Sequence, residues 1–289
     1  MKTMTGILTL LVGGCLSAGT TETDAPRAVD VTFESEGATL AGTLWLPVGD
    51  GPHPAMVYVH GSGRQTRRSA TGVAAHFNAL GVAVLGYDKR GVGASGGVYE
   101  GRDNASEENL TLLARDAGAG ITFLRARADI DGAQVGLWGV SQAGWIVPIA
   151  AVLDGEVAFT VLVSGPTVTV GEEIFYSRLT GDDSGQRSTL TQEELSRLLR
   201  EHGPSGFDPR PWLERMTMPG LWILGSADES IPIPETVAIL DELIAGGQPF
   251  VYRVWDGADH GMRADGRLVP EYWAEQDDFV FGRAGVRAR

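Results

Sequence analysis

One cysteine among 289 residues leaves no partner for an internal disulfide and rules out a multi-cysteine zinc or iron–sulfur centre. Cations are also scarce. The chain sets 23 Lys and Arg against 37 Asp and Glu, a formal net charge of −14 with a pI near 4.7. Phosphate backbones are gripped by clustered Lys and Arg, so this balance speaks against nucleic acid or an anionic membrane surface as partner. There is no internal repeat, no HExxH helix, no phosphate loop and no cluster of metal ligands, and no cofactor or metal is implied. No apolar run approaches the roughly 20 residues that span a bilayer. What is abundant is apolar side chain, 43% of the chain, enough to bury a sizeable core.

The N-terminus carries its own pattern. Met1 and Lys2 precede the apolar stretch Ile7-Leu8-Thr9-Leu10-Leu11-Val12, and Gly13-Gly14 stand directly before Cys15. A charged start, a short apolar stretch and small residues before a processing point are the marks of an export signal. With the cysteine in that place, residues 1–15 resemble a bacterial lipoprotein signal, departing from the usual pattern at Val12, where leucine is commoner. The resemblance implies cleavage before Cys15, acylation of its thiol and an exported chain anchored in the cell envelope, with the membrane met only through that anchor. A periplasmic or secreted chain cleaved near Ser17-Ala18-Gly19 is the alternative. Residues 16–27 then read as a polar tether that cannot build a core.

From residue 28 the sequence alternates and then runs apolar. Residues 29–33 and 40–46 predict an antiparallel pair turning near Glu36-Gly37. The solid apolar runs 55–59, 82–87 and 135–139 are too short for helices and lack polar alternation, which predicts buried parallel strands. Between them, 69–80 and 106–128 are helical, the second with Leu110, Leu113, Ala117, Ile121 and Leu124 at three- and four-residue spacing. The alternation continues with helices at 143–153, 235–245 and 271–281 and strands at 159–164, 221–225 and 249–255. This order predicts an α/β fold, a mostly parallel eight-stranded twisted sheet with helices on both faces. Residues 166–216 break the rhythm. Too long for an ordinary loop and carrying one helical stretch at 193–200, they form either a lid or a loosely ordered surface excursion, and the expectation is a cap inserted into a core of residues 28–165 and 217–289. Phe175, Tyr176, Phe207 and Trp212 there either line a pocket or form the cap's own small core.

Chemistry gathers at the ends of the predicted strands. Gly139-Val140-Ser141-Gln142-Ala143-Gly144 sits where an apolar strand meets an apolar helix, and a sharp turn there lifts a serine hydroxyl over the sheet edge if its neighbours are small. Serine is a weak nucleophile until a positioned imidazole takes its proton, and the imidazole needs a carboxylate to hold its tautomer. Asp228 follows the strand at 221–225, and His260 follows the strand at 249–255. Asp256, Asp259 and Glu229 are rival carboxylates, and a loop carboxylate can instead cap the next helix. His53, His76 and His202 fall on a pre-strand turn, a helix and the cap. His60-Gly61-Ser62-Gly63 follows the strand at 55–59, while Arg64, Arg67 and Arg68 read as solvated surface charge. Gly91-Val92-Gly93-Ala94-Ser95-Gly96 fits the glycine pattern of a dinucleotide-binding turn. Asp88-Lys89-Arg90 separates it from its strand, however, and Gly97 and Asn104 prolong a loop where that turn needs a helix, so nucleotide binding is not expected.

In order along the chain, the segments at 60–63, 88–91 and 139–144 with Asp228 and His260 resemble the α/β-hydrolase superfamily, closest to its bacterial esterases and serine aminopeptidase-like group. The likeness runs from about residue 29 to 286 and departs at Ala143, where the usual elbow has a second glycine. It implies Ser141 as nucleophile, His260 as general base, Asp228 as orienting acid, and the backbone N–H groups of Ser62 and Gln142 as an oxyanion hole. His60 would be structural, and the acid and arginine of Asp88-Lys89-Arg90 would brace the floor of the site. The implied reaction is hydrolysis of a small carboxylic ester through an acyl-enzyme. Amide or peptide hydrolysis, acyl transfer, and a tethered binding protein that kept the fold without the chemistry are the alternatives.

Overall fold

The computed structural model describes residues 26–101, 105–182 and 188–288; the expected signal, Cys15 and the tether through residue 25 lie outside them. The first strand, β1 (Arg27–Ser35), begins one residue inside the segment read as tether. It turns on Glu36 and Gly37, at φ 46° and 75°, into β2 (Ala38–Leu46). Two successive left-handed residues make the two-residue turn whose twist matches paired strands, and the register runs from Arg27 opposite Leu46 to Ser35 opposite Ala38.

Apolar runs then alternate with helices: β3 (His53–Val59), α1 (Thr71–Ala79), β4 (Ala83–Tyr87), α2 (Glu107–Arg125), β5 (Ile130–Val140), α3 (Ala143–Asp154) and β6 (Thr160–Val163). After an interval come β7 (Gly220–Gly225), α7 (Ile233–Ala245), β8 (Phe250–Trp255) and α8 (Tyr272–Asp277), which passes into a wider turn of helix over Asp278–Arg283. Eight strands form one sheet in the order β1-β2-β4-β3-β5-β6-β7-β8. β2 runs antiparallel to β1 and β4, and every other neighbouring pair is parallel. The mixed but mostly parallel sheet is the one the alternation predicts.

Both faces are covered, which is why β3, β4, β6 and β7 are buried along their whole length. On one face α2, α3 and α7 pack Leu110, Ile121, Leu124, Ile146 and Leu240 against Val57, Leu85 and Leu137. On the other, α1 and the C-terminal helical segment pack Val73, Phe77, Tyr272 and Phe279 against Met56, Val84 and Val161. Phe77, Phe159 and Trp222 are fully buried, and each such side chain contributes about 1.5–3 kcal/mol.

The interval between β6 and β7 is more helical than the sequence suggests. Besides α5 (Gln192–His202), which contains the expected 193–200 stretch, it holds α4 (Val170–Thr180) and the single turn α6 (Arg210–Leu213). Thr169 with Glu172, and Thr191 with Glu194, form reciprocal capping boxes that start α4 and α5 by satisfying otherwise orphaned N–H groups. A short hairpin, β9 (Arg263–Ala264) with β10 (Arg267–Leu268), follows His260. Among the described residues, no helix is long and apolar enough to cross a membrane. Because β3, β5, β7 and β8 all point the same way, the loops after them, with Ser62, Ser141, Asp228 and His260, lie along one edge of the sheet.

Candidate active site

Ser141 is the first residue past β5 and stands in the left-handed region at φ 55°. A non-glycine residue there costs roughly 1–2 kcal/mol, so the turn must be held. Ser141 N–H donates to Val163 O at 2.9 Å, and Gly144 N–H closes the turn onto Ser141 O at 2.8 Å. The turn is also sterically tight. A Cβ on Gly139 would lie 2.6 Å from the Ala143 methyl, and one on Gly144 would lie 2.6 Å from Pro166. Ala143, the departure from the usual elbow, is thus accommodated by the bare Cα of Gly139.

The loop after β3 packs on this turn, and a Cβ on Gly61 would meet Val140 O at 3.2 Å and Ser141 Cβ at 3.3 Å. His60 is buried, its Nε2 making a short hydrogen bond to Tyr87 O while Nδ1 has no partner. Since a carbonyl only accepts, Nε2 carries the proton. Burial pushes the imidazole down to about 4 against the pull of that bond, so His60 is neutral and fastens the loop to β4.

The acidic side of the site is held by charge. Asp228 is buried, its Oδ1 accepting from Ser230 N–H and Ile231 N–H, each at 2.8 Å, and its Oδ2 bonding His260 Nδ1 at 2.8 Å. Two of the rival acids, Asp256 and Asp259, are exposed, accepting from Ser226 Oγ and Arg263 N–H. Burial disfavours the His260 imidazolium, but the hydrogen bond and charge of Asp228, with the charges of Asp182 and Glu173 behind them, outweigh it and hold His260 above the ordinary histidine value. The His260 side chain is 33% exposed. No hydrogen bond joins Ser141 Oγ to His260, a gap common before substrate binds.

Sequence reasoning missed what fastens these loops. Ser164, buried and left-handed at φ 48°, donates from Oγ to His260 O at 2.9 Å, while its own N–H is held by Ile223 O. Ser164 follows Val163, the residue that anchors Ser141, so histidine and serine are tied to adjacent positions of one strand end. From α4, Tyr176 donates to Asp228 O at 3.3 Å and Thr180 Oγ1 makes a short bond to Glu229 O. Arg67, expected in solvent, instead forks onto Asp88 at 3.0–3.1 Å, and Arg90 pairs with buried Asp116, so the brace beneath the site contains both arginines.

Ser62, Ser141 and Gln142 line one cavity of about 210 Å³, together with Trp145, Ile174 and Arg178. α4, absent from the sequence expectation, supplies Glu173, Ile174, Ser177 and Arg178 to its wall. None of Phe175, Tyr176, Phe207 and Trp212 lines it: Phe175 stacks on His202, Tyr176 packs with Leu195 and Leu199, and Phe207 and Trp212 join the main core. The glycine-rich 91–96 segment is a turn with Gly91 and Gly93 at positive φ and opens no helix. Among the described residues, no group of three or more His, Cys, Asp or Glu is placed to hold a metal.

The model of the prolyl oligopeptidase family matches residues 69–286, well over half of the sequence. The chain belongs to the prolyl oligopeptidase family. This prolyl oligopeptidase family chain is 27% identical over 286 residues to Esterase EstD of Thermotoga maritima, an alignment covering 86% of the chain but 66% of the relative, just under two thirds of its length. Its fold matches the Pyrococcus furiosus esterase Pf2001 at a TM-score of 0.64 and 17% identity, covering 89% and 90% of the two chains. A puromycin hydrolase superposes at 0.68 and 22% identity over 93% of this chain and 41% of the other. The two solved structures share this fold, and the family match together with the sequence relative supports a serine-hydrolase-type reaction.

Proposed function

We propose that the protein hydrolyses small carboxylic esters through an acyl-enzyme on Ser141. The observation that carries this reading is the elbow: a serine held left-handed at the end of a central strand, on a cavity that also receives Ser62 and Gln142, beside an Asp228–His260 pair tied to the same strand end. In the proposed sequence, His260 Nε2 takes the Ser141 proton as Oγ attacks the ester carbonyl. The backbone N–H groups of Ser62 and Gln142 receive the developing oxyanion. His260 then protonates the departing alkoxide and activates a water that releases the acid, while Asp228 holds the ring so that Nδ1 carries its proton. A cavity near 210 Å³ favours a short acyl group. We assign the cap role to residues 166–216, and place the chain in the cell envelope, anchored at Cys15.

The test is p-nitrophenyl ester hydrolysis, from acetyl to long chains, by the tether-free protein beside Ser141→Ala. Turnover should peak at short chains and fall at least about 10³-fold in the variant. Full activity in Ser141→Ala would refute the assignment. Amide hydrolysis is the second reading, favoured by the peptidase family match and the puromycin hydrolase likeness; aminoacyl-amides tested beside the esters separate the two.

A further inference from the structure

Apart from Lys2, Lys89 is the chain's only lysine, and it is buried behind the candidate oxyanion loop. Among the described residues it joins no ion pair. Its neighbour Asp88 turns both carboxylate oxygens to Arg67 and to the N–H of Ala94. A buried ammonium is costly unless its hydrogens are bonded, and Nζ meets this with three acceptors: Gly61 O at 2.9 Å, Gln142 Oε1 at 2.8 Å and Gly63 O at 3.5 Å. Burial lowers its pKa to about 8, so the ammonium form still prevails at neutral pH.

The two nearer acceptors, Gly61 O and Gln142 Oε1, both belong to the candidate oxyanion hole. The carbonyl of Gly61 and the N–H of Ser62 are opposite ends of one planar peptide unit, so fixing the oxygen aims the N–H. Gln142 carries the other candidate oxyanion donor on its backbone, and its side chain is the second acceptor. One ammonium therefore ties together both walls of the oxyanion hole. We propose that Lys89 is a positioning residue for the oxyanion hole: it orients the Gly61–Ser62 peptide and Gln142, and polarises that peptide so that the Ser62 N–H donates more strongly. The proposal rests on the assignment of Ser62 and Gln142 above. Lys89 itself touches no substrate.

An orienting role and a merely structural one differ in what they move. The experiment compares Lys89→Met and Gln142→Leu, which keeps the backbone N–H and removes the lysine's acceptor, with the parent, reading kcat and KM for a short ester and inhibition by an alkyl boronic acid, whose tetrahedral adduct imitates the oxyanion. Loss of one direct oxyanion donor costs about 10²–10³ in kcat, so an indirect effect of about 10–100-fold is expected in Lys89→Met, with KM within about threefold and boronate affinity falling in parallel. Gln142→Leu should lose about 3–10-fold with the same signature, and the double variant should do little worse than Lys89→Met alone. Either of two results in Lys89→Met overturns the proposal: kcat within twofold of the parent, or activity lost only in proportion to the folded fraction with boronate affinity unchanged. If Lys89→Met does not fold, Gln142→Leu decides, and unchanged kcat there overturns it equally. The Ser141→Ala control separates the two levels: its inactivity leaves the site assignment standing whatever Lys89 does, whereas its full activity removes both.

Discussion

Around Ser62 and Gln142 the chain relies on backbone, glycine and one buried ammonium, whereas around Asp228 and His260 it relies on a carboxylate, an imidazole and the loops that carry them. The first region grows from the central strands β3, β4 and β5 and is so close-packed that Gly139 and Gly144 have no room for a methyl group and Gly61 has little. The second hangs from β7 and β8 toward one side of the sheet, with the Asp228 side chain fully buried and a third of the His260 side chain open to solvent. One half should therefore fail by steric damage and the other by loss of charge and hydrogen bonding. The largest effect that sharpens this contrast belongs to the second half. Asp228→Asn keeps the shape but disturbs the tautomer of His260, and kcat should fall by about 10³–10⁴-fold with a melting temperature near that of the parent. A loss below tenfold would mean that another group orients the ring.

The first half is tested by bulk. Gly139→Ala drives a methyl against Ala143 and should destabilise the protein by about 1–3 kcal/mol in urea unfolding, and adding Ala143→Gly should restore most of that loss. A fully stable Gly139→Ala would show that the turn gives way more easily than its packing implies. The smallest effect returns to charge. In the proposed reaction His260 can accept the serine proton only when neutral, and nearby carboxylates raise its pKa, so kcat/KM should fall as pH drops through a value above the ordinary 6.5 or so. Removing one of those charges in Asp182→Asn should move the acid limb to lower pH, and a limb that stays in place would exclude Asp182 from the field at His260.

The same contrast explains what could be read without coordinates. The succession of strands and helices and the mostly parallel sheet followed from apolar runs and helical spacing, because burial on both faces leaves a mark that survives in one dimension; the order of the strands within the sheet did not. The tight turn at Ser141 was legible for a related reason: small residues where an apolar strand meets an apolar helix mark a close backbone approach, which Gly139 and Gly144 make here. Helix α4 was not, since its apolar residues follow no single stripe and Gly171 and Ser177 dilute it; its start lies in the Thr169–Glu172 capping box. Its consequence was missed with it, for the cavity wall comes from Ile174 and Arg178 rather than from the aromatics that stood out in the sequence. Ser164 was equally hidden, because its role depends on a left-handed backbone and on a carbonyl 96 residues away. Arg67 read as surface charge because nothing in its local sequence announces Asp88. Lys89 did leave a sign: a chain with 23 basic residues that uses lysine only twice has placed one of them at a buried position.

That scarcity of lysine has a practical side. From residue 3 onward every cationic side chain other than Lys89 and the histidines is a guanidinium, so an amine-directed label or crosslinker finds no exposed lysine on the folded domain. The one primary amine such a reagent can reach there lies beneath Gly61 and Gln142, and it becomes accessible only when that loop lifts. Acylation at Lys89, followed over time by the mass of its peptide, would thus act as a clock for opening of the loop beside Ser141, with no other lysine on the folded domain to compete.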